Sequence, residues 1–365
     1  MKRLEYTVSF ATPAFLGNAE QASQWRTPPF KALLRQWWRV AETAGRRPEL
    51  RTLHAREGGL FGRAADEGTT ASQVRLRMDW RGGTVPKDRW KSLSPVIHPE
   101  VTHKAGADQY LAYGPVVGSK LKRETFIPAG ERCALTLGVP ESEETRFKDI
   151  AKLAHVFGSV GSRCRNGWGS LHYEKGGLSA AEIEALLEPA NRAGRDWLRA
   201  LCREWRQALD TDWCHALGKD DNGLLLWRTD TIKKWEDLLK FLAEVKIAFR
   251  TQFCFKGGDK HAVLCDRQVL AYPITNHELR EWEFVKDEKT AKPRKDSSRS
   301  ANQVFFKVLP SNGGYVGLVA HLPHGLPAPL KDRLSKDDQA TLDDREKKVW
   351  REVHAVLDKN LTRLP

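Results

Sequence analysis

The first half of the chain changes its hydrophobic period in one particular order, and that order limits the fold more than any other feature. Residues 3–10, RLEYTVSF, alternate with period two: Leu4, Tyr6, Val8 and Phe10 against Arg3, Glu5, Thr7 and Ser9. Successive side chains of a strand point to opposite faces, so this is a half-buried strand. From Thr27, TPPFKALLRQWWRVAE puts Phe30, Leu33, Leu34, Trp37 and Val40 on one helical face, and its prolines suit a first turn. Period two returns in SQVRLRMDW, where Val74, Leu76, Met78 and Trp80 share a face. After the Pro-Ala-Gly turn at 128–130 it returns in Cys133, Leu135, Leu137 and Val139. Phe147, Ile150, Ala151, Ala154 and Phe157 make a second helical stripe, which Gly158 is placed to end in the left-handed conformation. Trp168, Leu171 and Tyr173 form a last, less regular strand. Strand, helix, strand, strand, helix, strand is the α+β ferredoxin-like (RRM-like, βαββαβ) arrangement, with two helices on one face of an antiparallel sheet. It defines a first domain over 1–175.

Residues 176–365 read as a second α+β domain, a degenerate and more helical copy of the first. Helix is expected over 179–217, 231–249 and about 339–358, and strand at AVLCDRQVLAYPI, NQVFFKVLP and YVGLVAHLP. Two segments resist assignment. The connection 81–124 is long with few periodic stretches, so it is functional or disordered. The basic run KDEKTAKPRKDSSRS, 286–300, reads as a solvated surface loop, or as an arm ordered by nucleic acid.

Charge narrows the partner. The 365 residues carry a formal net charge of +13, an excess that favours a polyanion. The six cysteines form no CxxC pair, which argues against a zinc ribbon, and free thiols suit a reducing compartment. His261 with Cys265 is too small a set for a metal, and His321 and His324 read as loop histidines. No apolar run reaches the length of a membrane helix, and the N-terminus lacks the apolar core of a signal peptide, so a cytoplasmic location is expected.

Two basic features accompany this charge. Lys31, Arg35 and Arg39 stand at i, i+4 and i+8 on the first helix, with Trp38 beside them. The second is GSVGSRCRNGWGS, 158–170, which carries Gly161, Ser162, Arg163, Arg165, Asn166, Gly167 and Gly169. Glycine lets a backbone turn sharply and offers N–H groups to phosphate, while arginine offers a planar fork. Together they would form a track for a phosphodiester backbone. The aromatic strand motif of sheet-face RNA readers is missing from the sequence.

FGSVGSRCRNGWGSL resembles the glycine-rich loop of the RAMP superfamily of CRISPR effector subunits. TPAFLGNAEQ, RTPPFKALLRQWWR and GGLFGRA, in that order and spacing, resemble the first RAMP subunit of the type III-B (Cmr) effector complex; RSANQVFFKVLP does so more thinly. The resemblance is specific over residues 5–175. It implies tandem ferredoxin-like folds, binding to crRNA and target RNA in antiviral defence, and assembly with other RAMP subunits and a large polymerase-like subunit. It implies no cofactor. By position it makes Lys31, Arg35 and Arg39 backbone contacts and the 161–169 residues the RNA loop. Many RAMP subunits have Lys-Gly where this chain has Lys31-Ala32.

RNA-cutting RAMP subunits carry an aspartate between the first strand and helix. Here GNAEQASQWRTPP has Glu20 as its sole acid, so the expectation is a subunit that holds RNA without cutting it. The alternative is a metal-independent endoribonuclease of repeat RNA, with His54, His98 or His103 transferring the proton.

Overall fold

The computed structural model describes all residues except 65–67, 102–103, 256–257, 259, 275–276, 287–292 and 296–297. His103 and most of the 286–300 run lie outside the described residues.

The predicted order of the first half is found in β1 (Lys2–Phe10), α1 (Thr27–Thr43), β2 (Arg75–Asp79), β3 (Arg132–Val139), α3 (Glu144–Phe157) and β4 (Leu171–Lys175), with an extra helix, α2 (Leu50–Phe61), after α1. The strands form one antiparallel sheet in the order β4-β1-β3-β2. Its register follows the alternation. Leu4 faces Leu137, Tyr6 faces Leu135 and Val8 faces Cys133, while Leu76 and Met78 extend the same rows on β2. A one-residue slip would send these side chains to solvent, so burial fixes the pairing. Trp37 of α1 lies on Phe157 of α3, ring centres 5.4 Å apart, which locks the two helices together over the sheet.

The second half repeats this connection order. β5 (Leu226–Arg228), α5 (Trp235–Thr251), β6 (Val304–Ser311), β7 (Gly314–His321), α6 (Lys336–Asn360) and β8 (Thr362–Arg363) give a sheet in the order β6-β7-β5-β8, again antiparallel throughout. Numbered within each half, both sheets run 4-1-3-2.

Several expectations need correction. Residues 179–217 hold no single long helix: the eight-residue α4 (Ala180–Leu187) is followed by a 3-10 turn (Arg192–Arg195), two four-residue helices (Asp196–Arg199 and Trp205–Ala208) and a strand at Cys202–Glu204. Pro189 ends that helix, because the residue before a proline is driven out of helical geometry. AVLCDRQVLAYPI is not a strand: it contains a short helix, Asp266–Leu270, that buries Val269 and Leu270. Trp168 falls before β4, in the loop. Segment 81–124 is neither bare loop nor uniformly exposed. Its Leu93, Val96, Ala107, Leu111, Val116 and Leu121 join a core with Leu238, Leu242 and Phe249 of α5.

β6 explains how the halves are joined. It is an edge strand, yet six successive residues are buried. Phe305 and Leu309 enter the core built on the first sheet, while Val304, Phe306 and Val308 enter the core built on α5. A strand with a core on each face reads as a nearly continuous apolar run, broken here by Lys307 alone among its six buried residues.

Candidate nucleic-acid interface

The glycine-rich loop covers the free edge of β6. The N–H of Phe306 donates to the Arg165 carbonyl (2.9 Å) and the N–H of Val308 to Ser170 Oγ (3.0 Å). Asn166 Nδ2 donates to the Leu111 carbonyl (2.6 Å), and Lys246 Nζ of α5 donates to Asn166 Oδ1 (2.6 Å). Trp168 is buried against Phe15, Trp90 and Trp235. Lys307 of β6 reaches the other way, donating to the carbonyls of Gly158 and Leu171. Loop, β6 and α5 therefore form one continuous seam.

This geometry revises the role expected of the glycines. Gly158 has φ −78°, extended rather than left-handed. It must be glycine because a Cβ would sit 2.3 Å from the Ala154 carbonyl oxygen. Gly161, Gly167 and Gly169 do take positive φ. Their loop, however, is bound to the protein. The N–H groups of Ser162, Asn166, Gly167 and Gly169 donate to the carbonyls of Phe15, Arg163, Cys164 and Pro13. Those four donors are engaged within the fold and do not face a phosphate.

The two loop arginines differ sharply. Arg165 is turned inward: Nη1 donates to the Asn302 carbonyl (2.8 Å), and the guanidinium lies 4.6 Å from the centre of the Phe305 ring. Arg163 is exposed, at φ 61°. Its Nε donates to the Tyr113 carbonyl (2.7 Å). Partial desolvation, then the charges of Arg299 and Arg250, lower its pKa.

On α1 the basic line is present but partly neutralised. Arg35 Nε donates to Glu57 Oε1 (2.8 Å), and Arg39 Nε and Nη2 donate to Glu57 Oε2 and Oε1 (2.6 and 2.7 Å). Burial of Glu57 opposes its charge, but the bonds from Arg39 and Arg35 win and hold its carboxyl below the usual range. Lys31 is half-buried, and burial followed by the Arg35 charge lowers its pKa. Trp38 is 1% exposed and packs edge-on against Phe61. It belongs to the core, and its ring has no face free for a base. The helix alone made it look like an edge residue, because nothing in the sequence shows α2 closing over it.

Sequence reasoning passed over Glu57, Lys307, Arg250 and Tyr113. Lys307 alone carried a signal, as the one charge within an otherwise apolar strand.

The histidines of the alternative reading do not share one element. His54 is exposed on α2. His98 accepts the Glu100 N–H at Nδ1 (3.2 Å), its ring 5.5 Å from that of Tyr110; burial chiefly, then the Arg267 and Arg250 charges set against Glu100, lower its pKa. Among the described residues no group of three or more His, Cys, Asp or Glu could hold a metal ion, and no helix is long and apolar enough to cross a membrane.

The molecule is thus a mixed α+β protein of several small sheets, the two largest wired identically. Its structural neighbours include chains of Cmr proteins and of a CRISPR complex. One is Cmr1 from Pyrococcus furiosus in its apo form, at TM-score 0.48 and 13% identity over 88% of each chain. Another is a chain of the type III-B Cmr-beta complex bound to cognate target RNA, at TM-score 0.43 and 11% identity over 96% of this chain and 99% of that one. A chain of a type IV-B CRISPR complex matches at TM-score 0.31 and 10% identity, over 47% of this chain and 89% of its own. No family model matches the chain, and no curated protein matches it.

Proposed function

We propose that this chain is a non-catalytic RNA-binding RAMP subunit of a type III CRISPR effector complex, built as two ferredoxin-like domains over 1–175 and 176–365. It holds crRNA or target RNA in the cytoplasm, beside other RAMP subunits and a large polymerase-like subunit. The observation that carries this reading is Arg163: an exposed arginine, bonded to a carbonyl and not to a carboxylate, on the sequence motif that resembles the family. Lys31, Arg35 and Arg39 supply a second cationic edge on α1. Gly161, Ser162, Arg165, Asn166, Gly167 and Gly169 shape and anchor the loop that presents Arg163. Phosphate contacts of this kind position an RNA without reading its sequence.

The test is incubation of the purified protein with single-stranded RNA and with CRISPR repeat RNA in EDTA. Binding without cleavage is expected, with log affinity falling linearly in log salt concentration. Site-specific cleavage in EDTA would instead support the endoribonuclease reading. That alternative has one observation in its favour, the neutral-leaning His98 within the field of Arg250 and Arg267. A His98→Ala variant that lost the cleavage would then identify the base.

A further inference from the structure

The arginines of this protein fall into two groups. Several are matched by carboxylates: Arg35 and Arg39 by Glu57, Arg203 by Asp210, Arg206 by Glu204, and Arg267 by Glu100. The cations at the seam are not. Arg163 is bonded to a carbonyl, Lys246 to an amide oxygen, and Arg250 Nη1 approaches the hydroxyl of Tyr110 (3.4 Å). Among the described residues no carboxylate pairs with any of the three. Arg250 and Lys246 also stand 5.9 and 6.0 Å from the centre of the Tyr110 ring.

These residues come from separate elements that the fold fastens together. Arg163 belongs to the glycine-rich loop, and Lys246 and Arg250 lie one turn apart on α5. Tyr110 and Tyr113 belong to the connection 81–124. The Lys246–Asn166–Leu111 hydrogen bonds tie all three together. Like charges brought together without an acid repel, and an anion relieves that repulsion. Tyr113, whose backbone carbonyl accepts from Arg163, is 48% exposed.

We infer that Arg163 and Arg250, with the ring of Tyr113, form a binding site for one unpaired nucleotide of single-stranded RNA. The guanidinium forks take its phosphodiester and Tyr113 stacks on its base. Arg forks suit phosphate bidentately, and aromatic side chains hold unpaired bases without demanding a sequence. Lys246 and Asn166 are positioning residues that hold loop and helix in register. The inference rests on the RNA-binding reading and moves its centre from α1 to the seam.

The probe is a fluorescein-labelled single-stranded RNA of mixed sequence, read by anisotropy across a KCl titration. Arg163→Gln and Arg250→Gln are each expected to weaken binding about tenfold and to make the log–log salt slope shallower by about 0.7, the share of one phosphate contact on a single strand. Tyr113→Ala is expected to weaken binding at least fivefold with an unchanged slope, and Tyr113→Phe to restore it. Thermal melts of each variant separate lost contacts from lost folding, and Arg163→Lys and Arg250→Lys retain the charge should either Gln variant unfold. If wild type binds and the seam variants bind equally well, while Lys31→Ala with Arg35→Ala does not, the seam site is wrong and the RNA reading stands. If wild type itself shows no salt-sensitive binding, both fail.

Discussion

At the residue scale, burial decides what a charged side chain can do. Glu346 of α6 is 6% exposed and lines a cavity of about 390 Å³ with Arg206, Gln207, Lys331 and Gln339. Its Oε1 accepts the Leu326 N–H (3.0 Å), but burial dominates and pushes its carboxyl from 4.5 up to about 7. The folded state therefore binds more protons than the unfolded state between these values, and stability falls as pH rises through that window. A shift of this size corresponds to roughly 3 kcal/mol at most. Glu346→Gln keeps the acceptor and removes the titration. Urea denaturation at pH 5 and pH 8 is expected to show wild type losing stability relative to the variant at the higher pH. Equal pH dependence in the two would contradict the assignment.

At the element scale, the glycine-rich loop owes its shape to close approach as much as to dihedral freedom. Gly169 has φ 61°, and a Cβ there would lie 2.0 Å from the Val160 carbonyl oxygen. Gly130, in the turn before β3, has φ 82° but open space around it. Alanine at either position meets the left-handed strain, on the order of 1 kcal/mol. Only at 169 must the backbone also move. Gly130→Ala is expected to cost about 1 kcal/mol and Gly169→Ala more than about 3 kcal/mol by urea denaturation. Similar costs would mean that the loop yields freely and is not locked between β1, β4 and β6.

At the scale of the whole molecule, β6 makes the halves interdependent. A chain cut between 175 and 176 would strip Phe305 and Leu309 from the first core. It would also leave Lys307, 1% exposed, without its two carbonyl acceptors. Exposing an apolar strand face invites association. Residues 1–175 and 176–365 expressed apart are expected to be insoluble or to melt without cooperativity, and co-expression to recover a soluble pair. Two halves that each unfold cooperatively alone would refute this coupling.

The sequence by itself determined the elements whose burial is periodic. β1, α1, β2, β3, α3 and α6 were legible because a one-sided core imposes period 2 or 3.6 directly on the chain, and β6 and β7 were legible as nearly continuous apolar runs. It also marked the glycine-rich loop and its two arginines. It did not reveal that Arg165 turns inward, that Trp38 is sealed by α2, or that the glycines serve packing before any ligand. Nor did it show that the 81–124 connection brings Tyr110 to α5 and Tyr113 to the glycine-rich loop. Those facts depend on contacts between residues far apart in sequence, such as Lys307 with Gly158, 149 positions away. A local pattern records only whether a side chain is buried or solvated. Which distant partner buries it, and which cations remain without an acid once every ion pair has formed, is decided only when the two halves close on β6.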